Sequence, residues 1–215
     1  MNNKINKTSI PSAVLLLAVY GPAVLVLVLA LAGSQVTERP ISDFTRDLAS
    51  IAQVPPFIGL VSNLGILLWA SAAAIGLVTA AVLAKDQAPQ MLTRFFRWFG
   101  LLTSLLALDD FFLLHERMFP RFLGLPEEAT LVIYGVLLLY ILIRFRPVYR
   151  TMPCFFLWAA LVGFASSLLV DQVPEHIIPY HHLFEDGFKF LGISSWLAFV
   201  AQAAVRQLSY RHEER

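Results

Sequence analysis

Six stretches of this chain are apolar for long enough, or nearly so, to cross a hydrocarbon core, which demands about 20 residues of helix. They fall near residues 12 to 33, 56 to 84, 96 to 116, 129 to 146, 153 to 172 and 181 to 205. In lipid every backbone amide must find its partner inside the protein, so only helices and closed barrels span it. These runs lack the apolar-polar alternation of barrel strands. An all-α, polytopic transmembrane helical bundle of six spans is therefore predicted. With 58% hydrophobic and 14% charged residues and a mean hydropathy of +0.69, the chain is too apolar for an ordinary soluble domain.

The second run is longer than a bilayer requires, so it should tilt or protrude. The last is the least apolar, because its first turns carry histidines and acids. No internal repeat, low-complexity tract or long linker divides the chain, and a single integral membrane domain over residues 1–215 is expected. The connections near 34 to 55 and 117 to 128 suffice for a small cap, not for a separate domain.

Lys and Arg in the loops set the orientation. With both termini cytoplasmic, the inside holds Lys4, Lys7, Lys85, Arg94, Arg97, Arg144, Arg146, Arg150, Arg206, Arg211 and Arg215; the outside holds Arg39, Arg46, Arg117, Arg121 and Lys189. Eleven against five obeys the positive-inside rule and predicts a multi-pass protein of the bacterial inner membrane. Of the acids, only Asp86, Glu213 and Glu214 fall inside. The net charge of +1 conceals this polarity.

Lys4 and Lys7 precede an apolar run ending in Ala30, Leu31, Ala32 and Gly33, which has the small residues of a signal cleavage site. The run from Val14 to Ala32 exceeds a typical apolar signal core of about 7 to 15 residues, so a retained anchor is expected; cleavage would leave five spans. Beyond it, Ile41, Phe44, Leu48 and Ile51 recur at helical spacing after Ser42, a good N-cap. This predicts an interfacial helix near 41 to 53, covering the bundle or acting as a substrate-entry lid.

Apart from the arginines at their cytoplasmic ends, the ionisable residues inside the spans all lie in their outer halves. Such charges are costly in lipid, usually face a bundle interior or a wet cavity, and mark a candidate site. In the third span these are Asp109, Asp110, His115 and Glu116; on continuous helix Asp109 and Glu116 share a face. The last span opens after Pro179 and pairs His181 with Glu185, His182 with Asp186 and Glu185 with Lys189, each at i+4. One Lys cannot neutralise Asp109, Asp110, Glu185 and Asp186 together, and Asp171 and Glu175 add to the acid. Ser62, Asn63, Ser166 and Ser167 also lie in outer halves, so a polar pocket opening outward is expected.

Imidazole with carboxylate suits zinc, iron or manganese, and His115, His181, His182 and Asp186 are the candidate ligands. A bound metal would lower the pKa of water, with Asp109 or Asp110 as base and Lys189 or Ser62 steadying an oxyanion. A lipid amide or ester is the substrate that reaches such a pocket sideways. The alternative is an intramembrane salt bridge from Lys189 to Glu185, Asp186 or Asp109, part of a structural ion-pair network in a ligand-binding or accessory subunit. A proton or solute path is disfavoured because, those terminal arginines apart, the inner halves of the spans carry no ionisable residue.

The arrangement of His, Asp and Ser in a helical membrane protein loosely resembles the superfamily of alkaline ceramidases and adiponectin-receptor-like hydrolases, which implies zinc-dependent lipid hydrolysis. This chain departs from that family in having six spans instead of seven and no paired C-terminal H-x-x-x-H. The segments from Leu108 to Glu116 and from Leu183 to Gly192 more closely resemble an uncharacterised bacterial family of small multi-pass proteins, which implies no known reaction.

Membrane lipids are the expected surroundings, with a membrane partner protein or a second copy as the possible macromolecular contact. Small-residue patches from Ala70 to Gly76 and from Gly163 to Ser167 allow close helix packing within or between chains. Nothing points to nucleic acid: there is no outward basic stripe and no P-loop. The lone Cys154 reads as a small buried hydrophobe.

Overall fold

The computed structural model describes residues 12–213. Lys4, Lys7, Glu214 and Arg215, which entered the charge count, lie outside them. Among the described residues every regular element is helical. They divide into two compact units, Met1–Ile58 and Gly59–Arg215.

In the first unit, α1 (Ser12–Thr37) runs through Pro22 and is apolar around its circumference. Val19–Thr37 is long and apolar enough to cross a membrane, and side chains such as Leu17, Val24, Leu27 and Leu31 are exposed, as lipid-facing residues are. The predicted helix near 41 to 53 is instead two short ones, α2 (Ser42–Thr45) and α3 (Leu48–Ala52). Arg46 is extended, and the Asp47 side chain accepts the Ser50 N–H at 2.7 Å, so Asp47 starts a new helix where the apolar spacing suggested continuation. Ser42 is not the N-cap; Ile41 holds that position without a side-chain bond. The Phe44 ring lies against Gly33, where a Cβ would stand 2.9 Å from Phe44 Cε1.

The second unit runs α4 (Leu60–Lys85), α5 (Gln90–Phe112), a π-helical turn (Leu114–Met118), α6 (Phe119–Leu123), α7 (Glu127–Arg144), α8 (Arg146–Tyr149), α9 (Phe155–Asp171) and α10 (His181–Glu213). Over the described residues, four helices are long and apolar enough to span a membrane: α1, α4, α5 and α10. The pair Leu114–Leu123 and Glu127–Arg144, bent by 118°, counts as a fifth if the two are taken as one broken span. With 17 residues, α9 rises about 26 Å, short of a hydrocarbon core of about 30 Å. The protein is thus an all-α membrane-spanning protein, and each of the six predicted apolar runs is helical.

The third run differs at both ends. Its helix starts at Gln90, after Pro89, rather than near 96, because polar residues propagate a helix as well as apolar ones do. It stops at Phe112, where Leu113 turns left-handed (φ 52°) and donates its N–H back to Asp109 O.

Helix α4 packs on α5, α9 packs on α10, and α4 against α10 joins the two pairs, while α7 touches α5 more lightly. Lipid supplies no hydrophobic drive for this, so close backbone approach and ring packing hold the bundle. A Cβ on Gly163 would stand 2.8 Å from Gly192 Cα, and one on Gly76 3.1 Å from Gly100 Cα. The small-residue patches thus serve packing inside the chain. Around them Trp196 stacks on Phe99 at 4.2 Å and donates Nε1–H to Thr103 Oγ1 at 3.0 Å, while Trp69 stacks on Phe164 at 5.5 Å. The far end of this unit carries Lys85, Arg94, Arg97, Arg144, Arg146, Arg150 and Arg206. The other end is acidic and histidine-rich, and the candidate site lies there.

Candidate functional site

Three polar clusters occupy this end. The first is built by the helix break at Leu113. Because α5 stops there, the following π turn folds back, and Asp109 Oδ1 accepts the His115 backbone N–H at 3.0 Å. The same oxygen accepts the Tyr134 hydroxyl of α7 at 2.8 Å, and Asp109 Oδ2 contacts His115 Nδ1. Asp109 and His115 are both buried. The outer ring nitrogen, His115 Nε2, faces Glu127 Oε1 at 3.7 Å and Glu116 Oε1 at 3.8 Å.

The second cluster joins three helices. Lys189 Nζ of α10 donates to Asp110 Oδ1 at 2.7 Å, and Trp69 Nε1 of α4 donates to Asp110 Oδ2 at 3.0 Å. Both carboxylate oxygens are therefore engaged, as a charge at this depth requires. Beside them lies a cleft of about 30 Å³ lined by Val61, Ser62, Gly65, Asp110, Asp186 and Lys189 among others. That is room for one or two waters.

The third cluster opens α10. His181 Nε2 donates to the Val170 carbonyl at 2.9 Å, a bond that only an N–H can make. His181 Nδ1 then faces Glu185 Oε2 at 3.6 Å, and His182 Nδ1 faces the same oxygen at 3.4 Å. The other nitrogen of His182 stands 3.7 Å from Glu175 Oε1.

This polar end lies within a segment already grouped from sequence alone, since the model of a domain of unknown function, DUF8692, matches residues 16–203. The chain belongs to that family. No curated protein and no solved structure matches it. The resemblance to an uncharacterised family is thereby borne out, and this family carries no assigned reaction to transfer.

In this DUF8692 chain the expected site residues separate. Asp109 and Asp110 are neighbours in sequence but serve different clusters, because adjacent residues on a helix point about 100° apart. Lys189 pairs with Asp110 rather than with Glu185, Asp186 or Asp109. His182 turns to Glu185 and Glu175, not to Asp186. Asp109 and Glu116 share no helical face, since the helix breaks between them.

Among the described residues, one group of three or more His, Cys, Asp and Glu has ligand atoms within reach of one another: His181, His182 and Glu185, within 4.8 Å. His115 and Asp186 stand outside it. Glu185, expected to line the pocket and paired with His181 at i+4, is inside it. Ser62 lines the water-sized cleft; Asn63 and Asp171 are exposed, and Asp171 accepts from Gln172 at 3.1 Å. Ser167 is buried on α9.

Tyr134 is the residue that sequence reasoning missed. The signal was present: a lone hydroxyl among Leu131, Val132, Ile133 and Val136 must find a partner at that depth. Cys154 offers no chemistry. Its thiol donates to the Tyr149 carbonyl at 3.1 Å.

Proposed function

We propose that this protein is a non-enzymatic binding or accessory component of the inner membrane, whose buried charges form an ion-pair network that locks its helices and frames a polar end facing outward. The observation that carries this reading is that both oxygens of Asp109 and both of Asp110 are held by partners from other segments of the fold. Each oxygen of these carboxylates already meets a donor or cation within the bundle. Both residues are thus held between helices by several partners at once, which is what a structural ion-pair network requires. The cleft beside Lys189, about 30 Å³, is also far below the roughly 300 Å³ of a small-molecule pocket. Orientation is inferred from eleven basic residues on one side against five on the other, with both termini cytoplasmic.

A metal-dependent hydrolase of a lipid amide or ester is the second reading, favoured by the His181, His182 and Glu185 cluster alone. One experiment separates the two. Asp110→Asn, Lys189→Met and the double variant are compared with wild type by chemical or thermal unfolding in detergent, and each is assayed for release of fatty acid from phospholipid and ceramide. Removing one partner of a buried pair costs about 3–5 kcal/mol, and Lys189 is partly exposed, so each single change should cost about 2–4 kcal/mol. The double change should cost less than the sum by at least about 1 kcal/mol, and no variant should release fatty acid. Additive losses, or turnover in wild type abolished by Asp110→Asn at unchanged stability, would overturn the proposal.

A further inference from the structure

His181 is held in an unusual electrostatic position. Its side chain is 6% exposed, and among the described residues its Nδ1 is the buried side-chain nitrogen or oxygen left without a hydrogen-bond partner. The Val170 carbonyl can only accept, so the Nε2 proton is fixed there and Nδ1 presents its lone pair toward Glu185 in the neutral ring. In the neutral ring that lone pair and a carboxylate oxygen 3.6 Å away repel, and a cation held between them relieves the repulsion. His182 Nδ1 turns to the same Glu185 oxygen, within hydrogen-bond distance at 3.4 Å, and its Nε2 stands 3.7 Å from Glu175. Both rings thus turn the same nitrogen inward and offer the other to an outer acceptor. His181 shows the pattern of metal-ligating histidines, its outer bond to the Val170 carbonyl fixing tautomer and ring orientation.

We propose that His181 Nδ1, His182 Nδ1 and Glu185 Oε2 bind one divalent transition-metal ion. Bonds of about 2.0–2.1 Å in tetrahedral geometry place ligand atoms about 3.3–3.4 Å apart. The two nitrogen-to-oxygen separations, 3.6 and 3.4 Å, already lie near that value. Two imidazoles select zinc or a neighbouring transition metal over magnesium or calcium, which prefer oxygen. The N-terminal dipole of α10 opposes a cation, and the carboxylates of Glu185 and Glu175 offset it. Three protein ligands leave a fourth tetrahedral position for water or an external donor. The site shares no residue with the Asp110 and Lys189 pair, so it stands or falls apart from the ion-pair reading.

Untagged full-length protein in detergent is titrated with Zn²⁺ alone and with Co²⁺ alone, following bound metal after dialysis and the visible absorption of tetrahedral Co²⁺. Wild type should take up one equivalent with the tetrahedral signature. His182→Ala, whose side chain is 70% exposed, should fold normally and weaken binding at least tenfold. Glu185→Gln should do the same. Glu175→Gln should weaken it by a smaller factor, and His176→Ala and Asp186→Asn should leave it unchanged. Less than one equivalent in wild type at micromolar metal, or equal uptake by wild type, His182→Ala and Glu185→Gln, would overturn the proposal.

Discussion

Gly163→Ala tests how this bundle is held together, and its outcome follows from a distance. A Cβ at Gly163 would stand 2.8 Å from Gly192 Cα, 2.9 Å from Gly192 N and 3.0 Å from the Phe188 carbonyl oxygen. Comfortable heavy-atom contact lies near 3.5–4.0 Å, so α9 must retreat from α10 by roughly 0.5–1 Å. The atoms in the way are backbone and cannot rotate aside. Overpacking of this kind costs about 1–3 kcal/mol, from which the better helix propensity of Ala recovers up to about 1 kcal/mol. A net loss of about 1–2 kcal/mol is expected, or roughly 2–8 °C in Tm for a protein of this size.

Gly135→Ala in α7 is the control, since nothing lies within 4 Å of its Cβ. It should gain about 0.5–1 kcal/mol from propensity alone. The assay is thermal unfolding of both variants in the same detergent, followed by circular dichroism. Opposite signs are expected from one chemical change. A stabilised Gly163→Ala, or two variants shifting together, would refute the claim that the α9 and α10 backbones meet at Gly163 and Gly192.

Tyr134→Phe should cost about 1–3 kcal/mol, because it strips a hydroxyl from buried Asp109, and it should speed amide exchange across Leu114–Met118; unchanged exchange would mean that Asp109 does not pin this turn. Trp69→Phe removes the Nε1 donor to Asp110 and also shrinks a buried ring, so it should destabilise by about 2–4 kcal/mol in wild type and by about 1 kcal/mol less in an Asp110→Asn background, where only the lost packing counts. Cys154, whose partly buried thiol donates to the Tyr149 carbonyl at 3.1 Å, should alkylate more slowly at pH 8 than a free thiol and reach the free rate only on unfolding; equal rates in the folded protein would contradict that contact. Asp47→Ala should cost about 1 kcal/mol of local helix stability in α3, seen as lost amide protection near Ser50.

Much of this architecture was legible in residue patterns, and the failures have specific causes. Apolar length located each helix, because lipid imposes the same requirement on every span. The break at Leu113 was not legible: leucine is a good helix former, and only the side chain of Asp109, capturing the His115 N–H, rewards the left-handed turn. The i+4 rule paired Glu185 with Lys189, which is geometrically sound but blind to other helices. In the fold Lys189 reaches Asp110 instead, whose side chain is 12% exposed against 26% for Glu185. The less hydrated carboxylate has more to gain from a cation.

By itself, then, the sequence determined a membrane-spanning helical chain, the gathering of most of its acids and histidines at one end, and the His181 and Glu185 pairing that a single helix suffices to form. Tertiary structure alone decided which helix supplies the partner of Lys189, that Tyr134 closes on Asp109, and that the outer nitrogens of His181 and His182 face Val170 and Glu175. The reason is physical. Hydrophobic length and i+4 spacing act within a helix, whereas the choice among possible partners for a buried charge depends on how dry each one becomes when the helices meet.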